Sequence, residues 1–341
     1  MAEAFLNLSR EDQLEALNVA AARSGRAAHV LEKDIWVVWT LSALFEGPSA
    51  DHLVFKGGTS LSKAYGVIDR FSEDIDVTYD VTELVGDLVD NAVSKGEEKL
   101  PPTKSQSRRW RDVVEEALPR FVQDTIADQL RARAKADTLD VHIVAKGDQV
   151  FVSHEPTAEA ANYMSPDVLV EFGGRSTGLP VEEKLIVCDA AEHLPDLVFP
   201  TATVRVMHIE RTFWEKATAV HTFCKREKLP GERLARHWYD LTKLAEAGYA
   251  TLAIANRQLA DQVAEHKTIF FFIPGIDYHD AIGGRLQLVP TGAFANELAA
   301  DYNAMREGGL LNDAAPPFEE ILRQCRDLET LANASDDTLA G

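Results

Sequence analysis

Two carboxylates two positions apart, Asp74 and Asp76, follow the glycine pair of a Gly57-Gly58-Thr59-Ser60 run, with fifteen residues between Gly58 and Asp74. On a strand, residues i and i+2 share a face, so Asp74 and Asp76 point one way while Ile75 and Val77 point into a core. Paired carboxylates are a hard-oxygen donor set of the kind that holds Mg2+ or Mn2+. Phosphoryl transfer uses such ions, because two of them roughly 3.5 to 4 Å apart hold both the attacking and the leaving oxygen of an in-line displacement. A third carboxylate normally completes the arrangement. Glu171, at the end of the Val168 to Phe172 run, is the candidate, with Asp140 in reserve on an adjacent strand-like stretch. The glycines have a matching use: after a strand they let backbone approach a triphosphate closely, and the next helix turns its free N–H groups and positive dipole end toward phosphate oxygens. Thr59 and Ser60 offer hydroxyls there. A DxD pair alone is common by chance and a Gly-Gly turn alone is commonly just a turn, so it is their strand-turn-helix-strand order that gives them meaning.

That order resembles the signature of the nucleotidyltransferase superfamily, hG[GS] followed by Dh[DE]h with h apolar, although the spacer here is slightly longer than the general pattern. More narrowly, GGTSLSKAYGVIDRFSEDID looks like the AbiEii/MenT-type nucleotidyltransferase toxins of bacterial toxin–antitoxin and phage-defence systems. Leu31-Glu32-Lys33-Asp34-Ile35-Trp36 is similar to the helix such proteins carry before the glycines. Glu210-Arg211-Thr212-Phe213-Trp214-Glu215-Lys216 and Arg236-His237-Trp238-Tyr239-Asp240-Leu241 look like the later motifs, in which a lysine and an aspartate face the nucleotide. The resemblance spans residues 30 to 245. It implies Asp74, Asp76, Lys216 and Asp240 as catalytic residues, Asp74, Asp76 and Glu171 as metal ligands, and Gly57, Gly58, Thr59, Ser60, Arg70, Ser72 and Lys216 as nucleotide contacts. It further implies an NTP substrate, a tRNA 3′ end as acceptor, growth arrest as outcome and a separately encoded antitoxin.

Lys216 and Asp240 also make chemical sense on their own. Residues Arg205 to Arg236 hold eight Lys or Arg against four Glu, a basic island in an acidic chain. A positioned lysine would neutralise charge on leaving pyrophosphate, and Asp240 would orient it or touch the nucleotide. The bland alternative is a solvated basic helix face with Lys216 exposed. His208, His221 and His237 have no zinc spacing and read as packing or RNA-contacting residues. Gly173-Gly174-Arg175-Ser176 reads as a hairpin turn, with a phosphate contact by Arg175 as the lesser alternative. Neither GxxxxGK[ST] nor GxGxxG occurs, which disfavours a P-loop NTPase or a dehydrogenase.

The elements that must position these residues follow from periodicity. Helical patterns run from Ser9 to Gly25 and from about Ala27 to Phe45, then a strand Leu53 to Lys56, a helix from Gly57 through Ile68, and a strand Ile75 to Tyr79. Pro101 to Ser107 reads as an exposed loop and Arg109 to Ala134 as one or two helices. Leu139 to Val144, Val150 to Ser153 and Val168 to Phe172 form a meander of short strands. From His208 onward the segments Arg211 to Lys225, Arg233 to Ala247, Thr251 to Glu265 and Pro317 to Leu331 are helical, Phe270 to Ile273 is a buried strand or helix end, and Asn333 to Gly341 is a frayed tail. The expectation is an α/β nucleotidyltransferase core over 1–200, a small mixed sheet flanked by helices, and a mainly helical C-terminal domain over 201–341, with the nucleotide in the cleft between them.

The 341 residues carry 55 acidic and 35 basic side chains, a net charge of -20, which excludes a bulk nucleic-acid coat protein. Asp69 to Glu98 holds ten acids against Arg70 and Lys95, and Lys104 to Lys135 eight bases against five acids, so a single RNA end guided by basic segments stays compatible. Three scattered cysteines, Cys188, Cys224 and Cys325, suggest neither a disulfide framework nor a thiolate zinc site. No apolar run reaches membrane-spanning length and no leader pattern opens the chain, so a cytoplasmic protein without a membrane role is expected. Two other readings stay open: transfer of NMP to a protein hydroxyl, and a nucleotide-binding regulatory module without turnover.

Overall fold

The computed structural model describes residues 3–70, 72, 74–95, 98–158, 167–228, 231–308, 310–311 and 314–337. Phe71 and Glu73 of the motif run and the last four residues of the expected tail lie outside them.

After a two-residue strand β1 (Glu3–Ala4), helix α1 (Arg10–Ser24) starts where the Ser9 hydroxyl accepts the Asp12 N–H and stops at Gly25, whose φ of 75° is left-handed. Helix α2 (Ala28–Phe45) is buried around most of its circumference from Leu31 on, as its long apolar run requires. The chain continues through β2 (Leu53–Lys56), α3 (Gly57–Lys63), β3 (Ile75–Asp80), α4 (Val81–Val85), the hairpin strands β4 (Val93–Lys95) and β5 (Glu98–Leu100), α5 (Lys104–Phe121) and α6 (Ala127–Ala136). Strands β6 (Val141–Lys146), β7 (Gln149–His154), β8 (Val168–Ser176), β9 (Val181–Val187), β10 (Leu197–Val198) and β11 (Thr201–Met207) follow. The remainder is helical: α7 (Ile209–Arg226), α8 (Arg236–Glu246), α9 (Tyr249–Ala255), α10 (Arg257–Phe270), α11 (Tyr278–Ile282), α12 (Gly292–Glu307) and α13 (Phe318–Asp337).

Two compact units result. The first, Met1–Ala64, Glu73–Asp90 and Arg109–Val206, contains a seven-stranded mixed sheet in the order β6-β7-β8-β3-β2-β11-β9. β3 runs parallel to β8 and antiparallel to β2, and β2 runs parallel to β11. Its core is apolar, with Leu53, Phe55, Ile75, Val77, Val168 and Val170 almost wholly buried. The second, Tyr65–Ser72, Asn91–Arg108 and Met207–Gly341, is mainly helical and closes around Phe213, Trp214, Trp238 and Tyr302.

Several expectations change. α3 ends at Lys63 rather than Ile68, because Gly66 turns the chain at φ 62°. α5 begins at Lys104, inside the expected Pro101 to Ser107 loop, and buries Ser107, whose hydroxyl donates to the Thr103 carbonyl. The single helix expected over Thr251 to Glu265 is two, broken at Asn256, whose side chain caps α10 by accepting the Leu259 N–H. Gly173 to Ser176 is no turn but the end of β8. A Cβ on Gly174 would lie 2.5 Å from Leu84 Cδ1, so the glycine admits α4 against the sheet. β9, β11 and α12 are not anticipated from periodicity at all. Phe270 is buried at the end of α10, whereas Phe271 and Phe272 are exposed. α13 continues to Asp337, well into the expected tail.

Candidate active site

In the first unit, antiparallel pairing places Lys56 of β2 opposite Asp76 of β3, and parallel pairing places Asp76 opposite Glu171 of β8. Residues opposite one another share a face, so one face of three adjacent strands carries Lys56, Asp76 and Glu171. Gly57 makes room for that face. Its φ is +78°, and a Cβ there would lie 2.0 Å from Asp76 Oδ2, so only glycine lets the backbone turn while the carboxylate packs on it. Lys56 Nζ lies 4.0 Å from Asp76 Oδ1. Glu171 Oε1 accepts from Gln149 Nε2 at 2.7 Å, across the β7–β8 pair.

The hydroxyls of the glycine run make internal bonds. Thr59 Oγ1 donates to the Asp74 carbonyl and Ser60 Oγ to the Gly57 carbonyl at 2.9 Å, and both residues are buried. They tie the glycine turn to the start of the DxD strand. Asp74 is half-buried just before β3, and Asp140 is exposed just before β6. Among the described residues, no three of His, Cys, Asp and Glu are grouped to hold a metal ion, so Asp74, Asp76 and Glu171 do not form a closed cage. The donor chemistry still fits a magnesium-class ion: the oxygens are carboxylate, and the place beside Asp76 already accommodates positive charge in the Lys56 ammonium.

The residues behind the glycine helix carry an ion network. Lys63 Nζ bonds Asp34 Oδ1 at 2.6 Å and Asp189 Oδ1 at 2.7 Å, and Asp34 Oδ2 accepts the Asp189 N–H at 2.7 Å. Glu32 accepts the N–H groups of Thr157 and Ala158 at 2.7 and 2.9 Å. The two acids of the Glu32-Lys33-Asp34 run thus clamp neighbouring segments to α2.

The second unit holds Arg70, Lys216 and Asp240 together. Arg70 grips Asp240 with both Nε and Nη2, at 2.7 and 2.9 Å, and Lys216 Nζ lies 2.8 Å from Asp240 Oδ2. All three are buried, Asp240 completely. Lys216 is therefore not on a solvated basic face. Burial by itself would raise the Asp240 carboxyl, but the Arg70 and Lys216 charges overcome it and hold it far below the usual carboxylate range. Burial outweighs Asp240's attraction for Lys216, with Arg70 adding repulsion, and pushes that ammonium below the usual lysine range. Burial and then the Lys216 and Arg236 charges push His237 well below its usual range, and its Nδ1 has no hydrogen-bond partner among the described residues. Two cations sharing one carboxylate leave a surplus of positive charge, which is what a polyanionic substrate group seeks. Ser72 is half-buried in the same unit. Sequence reasoning missed Lys56 and Gln149; the signal for Lys56 was a lone charge ending an apolar strand, directly against the glycine pair.

A mixed sheet presenting a glycine turn packed on a DxD carboxylate is the ground plan of a nucleotidyltransferase, and that is the class of enzyme this chain is. Residues 39–324 match the family model described as the nucleotidyl transferase AbiEii toxin of a type IV toxin–antitoxin system, and the chain belongs to that family. The family implies a separate antitoxin. Among solved structures, the chain is similar to MenT4, a nucleotidyltransferase toxin from Mycobacterium tuberculosis H37Rv, at 18% identity and a TM-score of 0.49, over 97% of this chain and 93% of that one. No curated protein sequence matches it. Among the described residues no helix is long and apolar enough to cross a membrane.

Proposed function

We propose that the protein is a cytoplasmic enzyme that transfers NMP from an NTP to the 3′ hydroxyl of tRNA with release of pyrophosphate, and that this blocks translation. The observation that supports it most is the packing of Gly57 on the Asp76 carboxylate, in a chain of nucleotidyltransferase family. Asp74, Asp76 and Glu171 are the residues that would hold Mg2+ or Mn2+. A bound ion of that kind supplies charge neutralisation at the reacting phosphate. The turn at Gly57 and Gly58 brings backbone N–H groups within reach of phosphate oxygens, and the Thr59 and Ser60 side chains fix that turn from behind. Lys216 and Arg70 supply the positive charge that a triphosphate and departing pyrophosphate require. Asp240, with both oxygens engaged, acts as the positioning residue that aims these two cations. Ser72 is a further nucleotide contact.

The test is incubation of the pure protein with total tRNA and each of the four labelled NTPs. Wild type is expected to label RNA with one NTP preferred, and Asp76→Ala and Lys216→Ala to label it at least about a hundredfold more slowly. Equal labelling by both variants sinks the reading. Label that survives RNase and is lost on protease treatment would move the acceptor to a protein hydroxyl.

A further inference from the structure

Lys56 is the last residue of β2. It is a quarter exposed, and would be replaceable by any polar residue if it only met solvent. Its surroundings are specific, however. Pairing sets it opposite Asp76, and its ammonium lies 4.0 Å from Asp76 Oδ1, while the other oxygen, Oδ2, packs on Gly57. Its stem runs along the same face toward β8: a Cβ on Gly173, two residues beyond Glu171, would lie 3.9 Å from Lys56 Cε and 3.3 Å from Thr78 Oγ1. The lysine stem thus lies beside Gly173, past Asp76 and on the side of the sheet that carries Glu171. A flexible four-carbon stem lets an ammonium relocate by several ångströms without moving backbone. At 4.0 Å and part exposure the pair is weak, so it is readily exchanged.

We infer that Lys56 is a positioning residue serving as the resident counter-cation of Asp76: it holds that carboxylate until a divalent ion takes it, then moves to a non-bridging phosphate oxygen of the nucleotide. This rests on the proposed role of Asp76 as a metal ligand. It makes metal and lysine competitors for one oxygen.

The test is Mn2+ titration of the full chain without nucleotide, followed by electron paramagnetic resonance, for wild type, Lys56→Met and Lys56→Arg. Removing a unit charge about 4 Å from a ligand oxygen should tighten Mn2+ binding about tenfold in Lys56→Met, and Lys56→Arg should stay within about twofold of wild type. In steady-state labelling, Lys56→Met should raise the KM for NTP about tenfold and change kcat less. A merely structural lysine would leave Mn2+ affinity unchanged or lower it, together with the thermal midpoint, and that result overturns the inference alone. Transfer by a wild type that binds no Mn2+ would overturn both the inference and the metal-ligand role. Mn2+ binding tightened in Lys56→Met, in a protein that labels no acceptor, would support the inference while the proposed reaction fails.

Discussion

At the scale of single residues, the glycine turn and the buried ion cluster make opposite demands. Gly57→Ala forces a Cβ into the Asp76 carboxylate at a left-handed φ, so either the turn or the carboxylate must shift. We expect label transfer to fall by at least about a hundredfold while urea unfolding reports a loss of roughly 1–3 kcal/mol. Asp240→Asn leaves Arg70 and Lys216 without their shared buried anion and should cost about 3–5 kcal/mol in urea unfolding. Lys216→Met leaves the two-pronged Arg70–Asp240 pair whole and should cost no more than about 1 kcal/mol while abolishing transfer. His221 adds a pH signature. Its Nδ1 accepts the Gln287 N–H at 3.0 Å, and burial, aided by Lys225, pushes its pKa down to about 4. Between about pH 6.5 and 4 the unfolded chain takes a proton that the folded one refuses, so stability falls with pH by about 2 kcal/mol at pH 5. Urea midpoints at pH 7 and 5 should show that drop in wild type and a smaller one in His221→Gln. Short-range pattern made Gly57 and Asp76 legible, and the resemblance of the later motifs pointed to Lys216 and Asp240. That Thr59 and Ser60 turn inward and that Arg70 grips Asp240 was not legible, since both depend on what lies across a fold.

At the scale of elements, alternation and capping read well where an element is amphipathic or ends on a local signal. Ser9 and Gly25 bracket α1, and the β6-β7-β8 meander pairs in sequence order. They read poorly where the deciding contact is distant. β11 escaped because its pairing partner β2 lies some 150 residues earlier in the chain. Gly173 and Gly174 imitate a turn locally but serve inside β8, one beside the Lys56 stem and the other under Leu84. That gives a sharp expectation: Gly174→Val should meet Leu84, Val114 and Leu118, and cost about 1–3 kcal/mol. Gly231→Val, with open space around it among the described residues, should cost less than about 0.5 kcal/mol. Thermal unfolding of the two variants side by side checks the contrast.

At the scale of the whole molecule, charge along the sequence overstated charge at the surface. In the basic stretch from Arg205 to Arg236, Arg211 is spent on buried Glu98 and Lys216 on Asp240. The bases of α5 are different: Lys104, Arg108 and Arg109 are exposed. If tRNA is the acceptor, reversing these three to Glu should weaken tRNA binding about tenfold or more at low salt and flatten its salt dependence. Filter binding across a salt series measures both, and an affinity indifferent to salt and to reversal would remove α5 from RNA contact. The two compact units are interlaced in the chain, which leaves one and re-enters it more than once before Met207. Arg70 thus waits for Asp240, 170 residues later, to be synthesised. A ribosome that stops short of Asp240 releases a chain holding the DxD carboxylates and Arg70 but lacking the anion that aims it. If that anion is needed to aim Arg70, a chain ending before Asp240 is expected to label no acceptor, which a truncation ending at Arg236 incubated with labelled NTP and tRNA would check.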